Sequence, residues 1–280
     1  MDTTVAYQGV PGSFSEQALL QFFTNPVQTT YVTTFAEVFK LLNNQEVDYG
    51  VLPIENSSTG GIYEILDSLN MYDLYIVGET YVRVTHHLLG CHEATIDTIQ
   101  EIYSHPQGFQ QSRLFLDKFP QWKHIPYYNT AISAQLIAEE QDPKKAAIAS
   151  KRAAEIYNLK VVVENIQDVN NNYTRFVIIS KHMHQDAAYN KISIVYSLPH
   201  SVGSLYQSLG IFAEHQVNIL SLQSRPIKER PWEFYFYLDL AGNIEDQNVK
   251  AALLQIKELS RQYKLLGNYL ASDNTGKLDV

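Results

Sequence analysis

The chain has 280 residues, room for two domains, and its 45% hydrophobic content is that of a globular protein with buried cores. A formal charge of −9 argues against a nucleic-acid partner, which calls for clustered Lys and Arg. No run of about eighteen apolar residues is present to span a membrane, and the single Cys91 rules out an intrachain disulfide. The start, Met1-Asp2-Thr3-Thr4 into Val5-Ala6-Tyr7, lacks the basic and apolar regions of a signal peptide. A soluble, cytoplasmic protein handling small molecules is expected.

Residues 5–9 read as a strand ending in a Gly/Pro turn, and Ser13-Phe14-Ser15-Glu16 has capping-box spacing for a helix to about 23. Thr34-Phe35-Ala36-Glu37 repeats that signature before Val38, Leu41 and Leu42 at helical spacing. A strand over 49–54 and a helix over 62–69 follow, so βαβ units around a largely parallel sheet are predicted. Two adjacent strands are predicted at 75–77 and 82–89, then strand 102–104, helix 107–118, strand 125–128 and helix 131–140. Ala146-Ala147-Ile148-Ala149 is a small-residue strand with Ser150 placed to cap the next helix, and 161–163 leads back to a strand over 174–179. The pattern predicts two lobes, with crossings near 77–83 and 166–173. Residues 182–190 lack periodicity and read as a linker. Beyond them come strand 192–196, helix 202–214, strands 217–223 and 233–240, helix 247–262 and strand 264–270, the ferredoxin-like β-α-β-β-α-β order.

Candidate chemistry gathers at strand ends, where ligands of open α/β folds bind. Gly50 to Ile62 reads GVLPIENSSTGGI, a core strand that turns abruptly polar. The plain reading is a turn with its cap, and the functional one a polar cradle for an anion at a helix start. Strand alternation places Thr174, Phe176 and Ile178 on one face, with Arg175, Val177 and Ile179 on the other. An arginine in so apolar a strand needs a partner, and carboxylates match its planar fork: the plain readings are an internal ion pair or a strand-end arginine reaching solvent, and the functional one a ligand carboxylate. Adjacent His86 and His87 face opposite sides and cannot share a metal, and His182-x-His184 has no ligand-spaced neighbours. Cys91 has no motif around it, and there is no Gly-x-Ser-x-Gly elbow. Any catalysis is therefore expected to need no metal and no cofactor.

Five segments in order carry a resemblance: Tyr7 to Glu16 (YQGVPGSFSE), Leu52-Pro53-Ile54-Glu55-Asn56-Ser57, Ser104-His105-Pro106-Gln107, Ala147-Ile148-Ala149-Ser150 and Asn172-Tyr173-Thr174-Arg175-Phe176. Together they resemble the prephenate and arogenate dehydratases. The C-terminal part, with Gly203-Ser204-Leu205 and Ser224-Arg225-Pro226, is similar to an ACT regulatory domain. The resemblance implies an α/β fold, with a two-lobed, periplasmic-binding-protein-like catalytic domain and a ferredoxin-like βαββαβ ACT domain. The catalytic domain would be 1–181 (lobe one 1–78 and 165–181, lobe two 79–164), the linker 182–190 and the ACT domain 191–272.

It further implies conversion of prephenate to phenylpyruvate, water and carbon dioxide in phenylalanine biosynthesis, by a dimer or tetramer that phenylalanine regulates. No chorismate mutase segment precedes Val5, so a monofunctional lyase is expected. The implied catalytic residues are Thr174 (hydroxyl polarisation), Arg175 (substrate carboxylate), Phe176 (ring packing), Glu55 (a candidate proton source), Asn56 and Ser57. Pro11, Gly12, Ser13, Phe14, Ser15, Ser104, Gln107, Ala149 and Ser150 would bind substrate. Val202, Gly203, Ser204, Leu205, Asn218, Leu220, Gln223, Ser224, Arg225 and Pro226 would bind phenylalanine. This chain departs from the family's usual pattern at Gln223 (commonly Glu), Ser204 (commonly Ala) and Gly108-Phe109 (commonly Ala-Leu). The alternatives are an arogenate dehydratase and a non-catalytic amino-acid sensor.

Overall fold

A computed structural model describes residues 3–228 and 230–272. Strands β1 (Thr4–Gln8), β2 (Gln28–Val32), β3 (Tyr49–Asn56), β4 (Gly60–Gly61) and β5 (Tyr75–Arg83) alternate with helices α1 (Phe14–Phe22), α2 (Phe35–Asn43) and α3 (Tyr63–Met71). β1 pairs in parallel with β2 and β3, the βαβ arrangement expected. In α2 the capping box is complete: Thr34 accepts from the Glu37 N–H, and the Glu37 carboxylate accepts from the Thr34 N–H. Val38, Phe39 and Leu42 then fall on one buried face. In α1 only half of the box forms, because Glu16 accepts from the Gly12 N–H instead.

Lobe two contains β6 (His87–Gly90), β7 (Glu101–Ser104), β8 (Lys123–Pro126), β9 (Lys145–Ala149) and β10 (Lys160–Val163), with α4 (Pro106–Gln111), α5 (Arg113–Leu116), α6 (Thr130–Glu140) and α7 (Lys151–Ile156). Its sheet runs β10-β6-β9-β7-β8. β11 (Tyr173–Ser180) then returns to lobe one and inserts between β5 and β3, antiparallel to both.

Two expectations change here. The strands predicted at 75–77 and 82–89 are instead a single β5 reaching Arg83, followed after a break by β6. Gly78 does not interrupt β5, because the Phe22 ring fills the space beside it. Lobe one thus extends past residue 78 to Arg83. The predicted helix over 107–118 is split at Ser112, whose φ of −120° leaves the helical region, into α4 and α5.

The third unit comprises β12 (Lys191–Ser197), α8 (Ser204–Glu214), β13 (Ile219–Pro226), β14 (Phe234–Ala241), α9 (Gln247–Leu259) and β15 (Gln262–Tyr269), in the expected βαββαβ order. Its strands lie in the order β13-β14-β12-β15, and Ile194, Tyr196, Phe212, Leu240 and Ile256 share one core under the two helices. β15 then lies parallel to β5, meeting it at Gly267 opposite Ile76, so the third unit's sheet continues into that of lobe one. A side chain at 267 would collide with the Ile76 carbonyl, so glycine is what lets the two backbones touch. Val195, Tyr237, Leu266 and Tyr269 share the core of lobe one with Leu66, Ile76 and Val177. Among the described residues no helix is long and apolar enough to cross a membrane.

Candidate active site

A cavity of about 240 Å³ lies between the lobes. Lobe one supplies Ser13, Phe14 and Ser15 at the start of α1, Asn56 at the end of β3, and Thr174 and Phe176 from β11. Lobe two supplies His105, Gln107 and Gly108 from the start of α4, and Asn129 and Thr130 from the start of α6. Each of these helices has its first turn capped by a cavity residue. Ser13 Oγ accepts from the Glu16 N–H (3.3 Å), His105 Nδ1 from the Gln107 N–H (3.2 Å) and Asn129 Oδ1 from the Ile132 N–H (2.7 Å). No Lys, Arg, Asp or Glu lines the cavity among the described residues. The starts of α1, α4 and α6 face it, and the free N–H groups of a helix start favour an anion.

Thr174 is held by Asn56. Asn56 Nδ2 donates to Thr174 Oγ1 (2.9 Å), to Asn172 Oδ1 (2.8 Å) and to the Tyr173 carbonyl (3.2 Å). The Asn56 carbonyl oxygen accepts from the Ser58 and Thr59 amides, so the amide is locked at both ends. With Thr174 Oγ1 already accepting, its own O–H is left to donate into the cleft. Phe176, two residues along, presents its ring on the same face. Gln107 Nε2 donates to Thr59 Oγ1 (3.2 Å), a polar bridge from one lobe to the other.

Several expected site residues lie elsewhere. Arg175 does not reach the cleft: strand alternation turns it to the far side of β11, where it is buried against Glu79 (2.7 Å) and Asp239 (2.5 Å). Burial works against its charge, yet Asp239, Tyr269 and Glu79 hold it protonated well above the ordinary range. Glu55 shares that side, 3.8 Å from Arg175, so it is not positioned to give a proton to a substrate in the cavity. Ser57 ties down the crossover, its Oγ accepting from the Tyr173 N–H (2.9 Å). Ser104 is fully buried and donates to the Ile148 carbonyl (3.0 Å), and Ala149 lies in the core of lobe two.

Pro11, Gly12 and Ser150 clasp the lobes together rather than line the cavity. Ser150 Oγ donates to the Gly12 carbonyl (2.8 Å) and Tyr157 to the Pro11 carbonyl (2.9 Å). Gly12, at φ +89°, lies so close to α7 that a Cβ would come within 2.9 Å of the Ala153 Cα. Of the Gly108-Phe109 pair, only Gly108 lines the cavity; Phe109 stacks on His124 within lobe two.

The residues expected to bind phenylalanine divide by their place on the third unit. Val202 and Gly203 lie in an exposed loop, Ser204 opens α8, and Leu205 packs on the core of that unit. Asn218, Leu220, Ser224 and Pro226 are exposed. Gln223 and Arg225 face lobe one instead. Gln223 lies against Gly61, while Arg225 grips Asp67 through two 3.0 Å bonds and stacks over the Tyr63 ring. These two side chains join the third unit to lobe one.

Sequence reasoning did not place His86, His105, Gln111, Asn129 or Thr130 at the site. Asn129-Thr130 carries an N-cap signal that could have been read. Nothing local marks His86, which sits where the chain crosses between lobes. His86 Nε2 lies 2.8 Å from Gln111 Oε1, within hydrogen-bond distance. Burial pushes this imidazole below its usual 6.5, against the opposing effect of that hydrogen bond. A lowered folded-state value leaves stability intact above about pH 6.5 and removes it as pH falls from there through the depressed value. Thermal unfolding is therefore expected to shift downward on acidification below about pH 6.5, with a shallower slope in His86→Gln. An unchanged slope would assign the effect to His87 and His105, which burial also lowers.

A two-lobed α/β domain with a cavity between its lobes, joined to a small βαββαβ unit, defines the class of cleft-containing α/β domains that carry an appended βαββαβ module. Residues 5–184 match the family model for prephenate dehydratase and 192–258 that for the ACT domain. The chain belongs to the prephenate dehydratase family. The bifunctional chorismate mutase/prephenate dehydratase of Aquifex aeolicus is 35% identical over 266 residues, covering 95% of this chain and 73% of that protein. The structure of prephenate dehydratase from Arthrobacter aurescens in complex with L-Phe is similar at TM-score 0.87 and 29% identity, over 96% of this chain and 90% of that one. A structure named GqqA, described as a novel type of quorum quenching acylase, is similar at TM-score 0.87 and 28% identity, over 97% of this chain and 99% of that one.

Proposed function

We propose that this chain converts prephenate to phenylpyruvate, carbon dioxide and water in the interlobe cleft, with Thr174 as the hydrogen-bond donor to the departing hydroxyl. The ring carboxylate leaves as carbon dioxide, its bonding pair enters the ring, and the ring hydroxyl departs with its own bonding pair as the ring becomes aromatic, the hydroxide taking one proton from solvent to leave as water. Negative charge grows on the departing oxygen, and a fixed donor aimed at that position lowers the barrier. The observation that carries this reading is the Asn56–Thr174 bond, which leaves the Thr174 proton free to donate. Phe176 supplies an apolar wall for the ring. The starts of α1, α4 and α6 favour a dianion in a cavity without Arg or Lys.

The test is an assay of the purified protein for phenylpyruvate from prephenate and for phenylalanine from arogenate. A strong preference for arogenate would reassign the substrate. Absence of turnover with both would return the protein to the sensor class. The acylase-named relative raises amide hydrolysis as a second reading. That chemistry needs a nucleophile coupled to a base. His105 Nδ1 is taken by the Gln107 amide and His86 Nε2 by Gln111, and among the described residues no cleft hydroxyl is hydrogen-bonded to either ring. The geometry therefore favours dehydration.

Phenylalanine is proposed as the effector of the ACT domain, supported by the L-Phe complex of the Arthrobacter relative. A ligand that binds only the folded state at a hundredfold excess over its Kd stabilises by about 2.7 kcal/mol, so phenylalanine should raise the melting temperature. Calorimetry showing no binding at millimolar phenylalanine would remove this assignment. A homodimer or homotetramer is also proposed, since Leu220 and Leu222 stay exposed along the edge strand β13. A reducing, cytoplasmic setting suits the lone, buried Cys91.

A further inference from the structure

β3 and β11 form a wall with two different faces. Their antiparallel register sets Thr174 opposite Asn56 and Arg175 opposite Glu55. Asn56 and Thr174 look into the cleft, while Glu55 and Arg175 look toward the ACT domain.

On that second face the Arg175 guanidinium crosses a domain boundary. Its Nε donates to Glu79 of β5 (2.7 Å), within lobe one. Nη1 donates to Asp239 of β14 (2.5 Å) and Nη2 to the Tyr269 hydroxyl of β15 (3.0 Å), both in the ACT domain. Lys191 of β12 closes the ring by pairing with Glu79 (2.9 Å), and Ser193 Oγ lies 2.5 Å from Asp239 and 2.8 Å from Tyr269. The catalytic domain thus contributes Arg175, Glu79 and, at 3.8 Å, Glu55, the ACT domain Lys191 and Asp239, and each of the two short ion pairs between domains is buried. All three nitrogens of the fork are committed within the protein.

Resting on the reading of Thr174 as the hydroxyl donor, we propose that Arg175 is a positioning residue through which the ACT domain sets the placement of Thr174. A planar guanidinium held at all three nitrogens cannot shift without breaking a buried bond. Thr174 is the adjacent residue of the same strand, so a displacement of β14 or β15 against lobe one reaches its hydroxyl over one Cα–Cα step. The register irregularity opposite Arg175 and Phe176 lies in β3, where Ile54 has no partner on β11, while the pairing of β11 with β5 runs unbroken from Tyr173 to Ile178, so Thr174 and Arg175 move as one length of strand. On the opposite side the Asn56 clamp fixes only one contact of Thr174, so the hydroxyl's position depends on both faces of the wall.

The test is Tyr269→Phe, which removes one oxygen at the Arg175 fork, made in the full chain and again in a Thr174→Ala background. In the unmodified background kcat for prephenate is expected to fall about tenfold with KM within about twofold. In the Thr174→Ala background the same change should have no further effect, because no hydroxyl remains to be positioned. Ser193→Ala, which loosens the same two partners, is expected to repeat the pattern. Equal losses in both backgrounds would mark a general structural effect and overturn the proposal. So would an unchanged kcat, or a rise confined to KM, which would return Arg175 to substrate binding. If the unmodified chain turns over no prephenate, it is the dehydratase reading that fails, before any variant is made.

Discussion

Thr174→Ala is expected to lower kcat for prephenate about 100- to 1,000-fold, the usual cost of removing one well-placed donor to a developing oxyanion. KM should change little. The hydroxyl interacts most strongly with the departing oxygen as charge develops, so its contribution belongs to the transition state more than to the bound substrate. The fold should survive, because Thr174 is a single hydroxyl on a strand end whose main-chain pairing to Asn56 and Val82 is untouched. The loss of Oγ1 leaves Asn56 Nδ2 with two other acceptors, Asn172 and the Tyr173 carbonyl. Steady-state kinetics with a melting curve would check both halves, and near-normal turnover would remove Thr174 from the mechanism.

Arg175→Ala is expected to act on stability first. Breaking a buried ion pair by removing one partner typically costs about 3–5 kcal/mol, since the other charge stays buried without compensation. Here two carboxylates lose a partner. Asp239 would keep only Lys191, at 3.8 Å, as a cation, while Glu79 would keep Lys191 at 2.9 Å. Burial alone would raise the Asp239 carboxyl, and Arg175 with Lys191 is what holds it below the ordinary range. At a few degrees per kcal/mol for a chain of this size, the melting temperature should fall by roughly 10 °C. Calorimetry would measure it. A variant that melts normally but has a raised KM would instead make Arg175 a substrate ligand.

Much of the fold follows from local pattern. The capping residues Ser13 and Thr34 sit where helices begin, and the βαββαβ order of the C-terminal unit was legible from alternating periods alone. Asn56, Ser13 and Gln107 lie on segments legible as strand ends and helix starts, which converge on a cleft in folds of this type, whereas Thr174 and Phe176 were assigned to the site only through the family resemblance. Gly78 and Ser112 misled: a glycine inside β5 is tolerated only because Phe22 packs on it, and the break at Ser112 divides what reads as one helix.

Arg175 separates the two kinds of information best. Alternation along Tyr173–Ser180 already assigned it to the face away from Thr174 and Phe176, and an internal ion pair was one of three readings for it. What it pairs with was not legible, because Glu79, Asp239 and Tyr269 come from distant strands of two domains. The same holds for Gln223 and Arg225, whose partners Gly61 and Asp67 belong to lobe one. Periodicity, caps and motif order are properties of neighbouring residues, so the chain by itself sets the elements, the family and the two faces of each strand. Partners across a domain boundary depend on how β15 docks on β5 at Gly267, a long-range contact that no local pattern encodes.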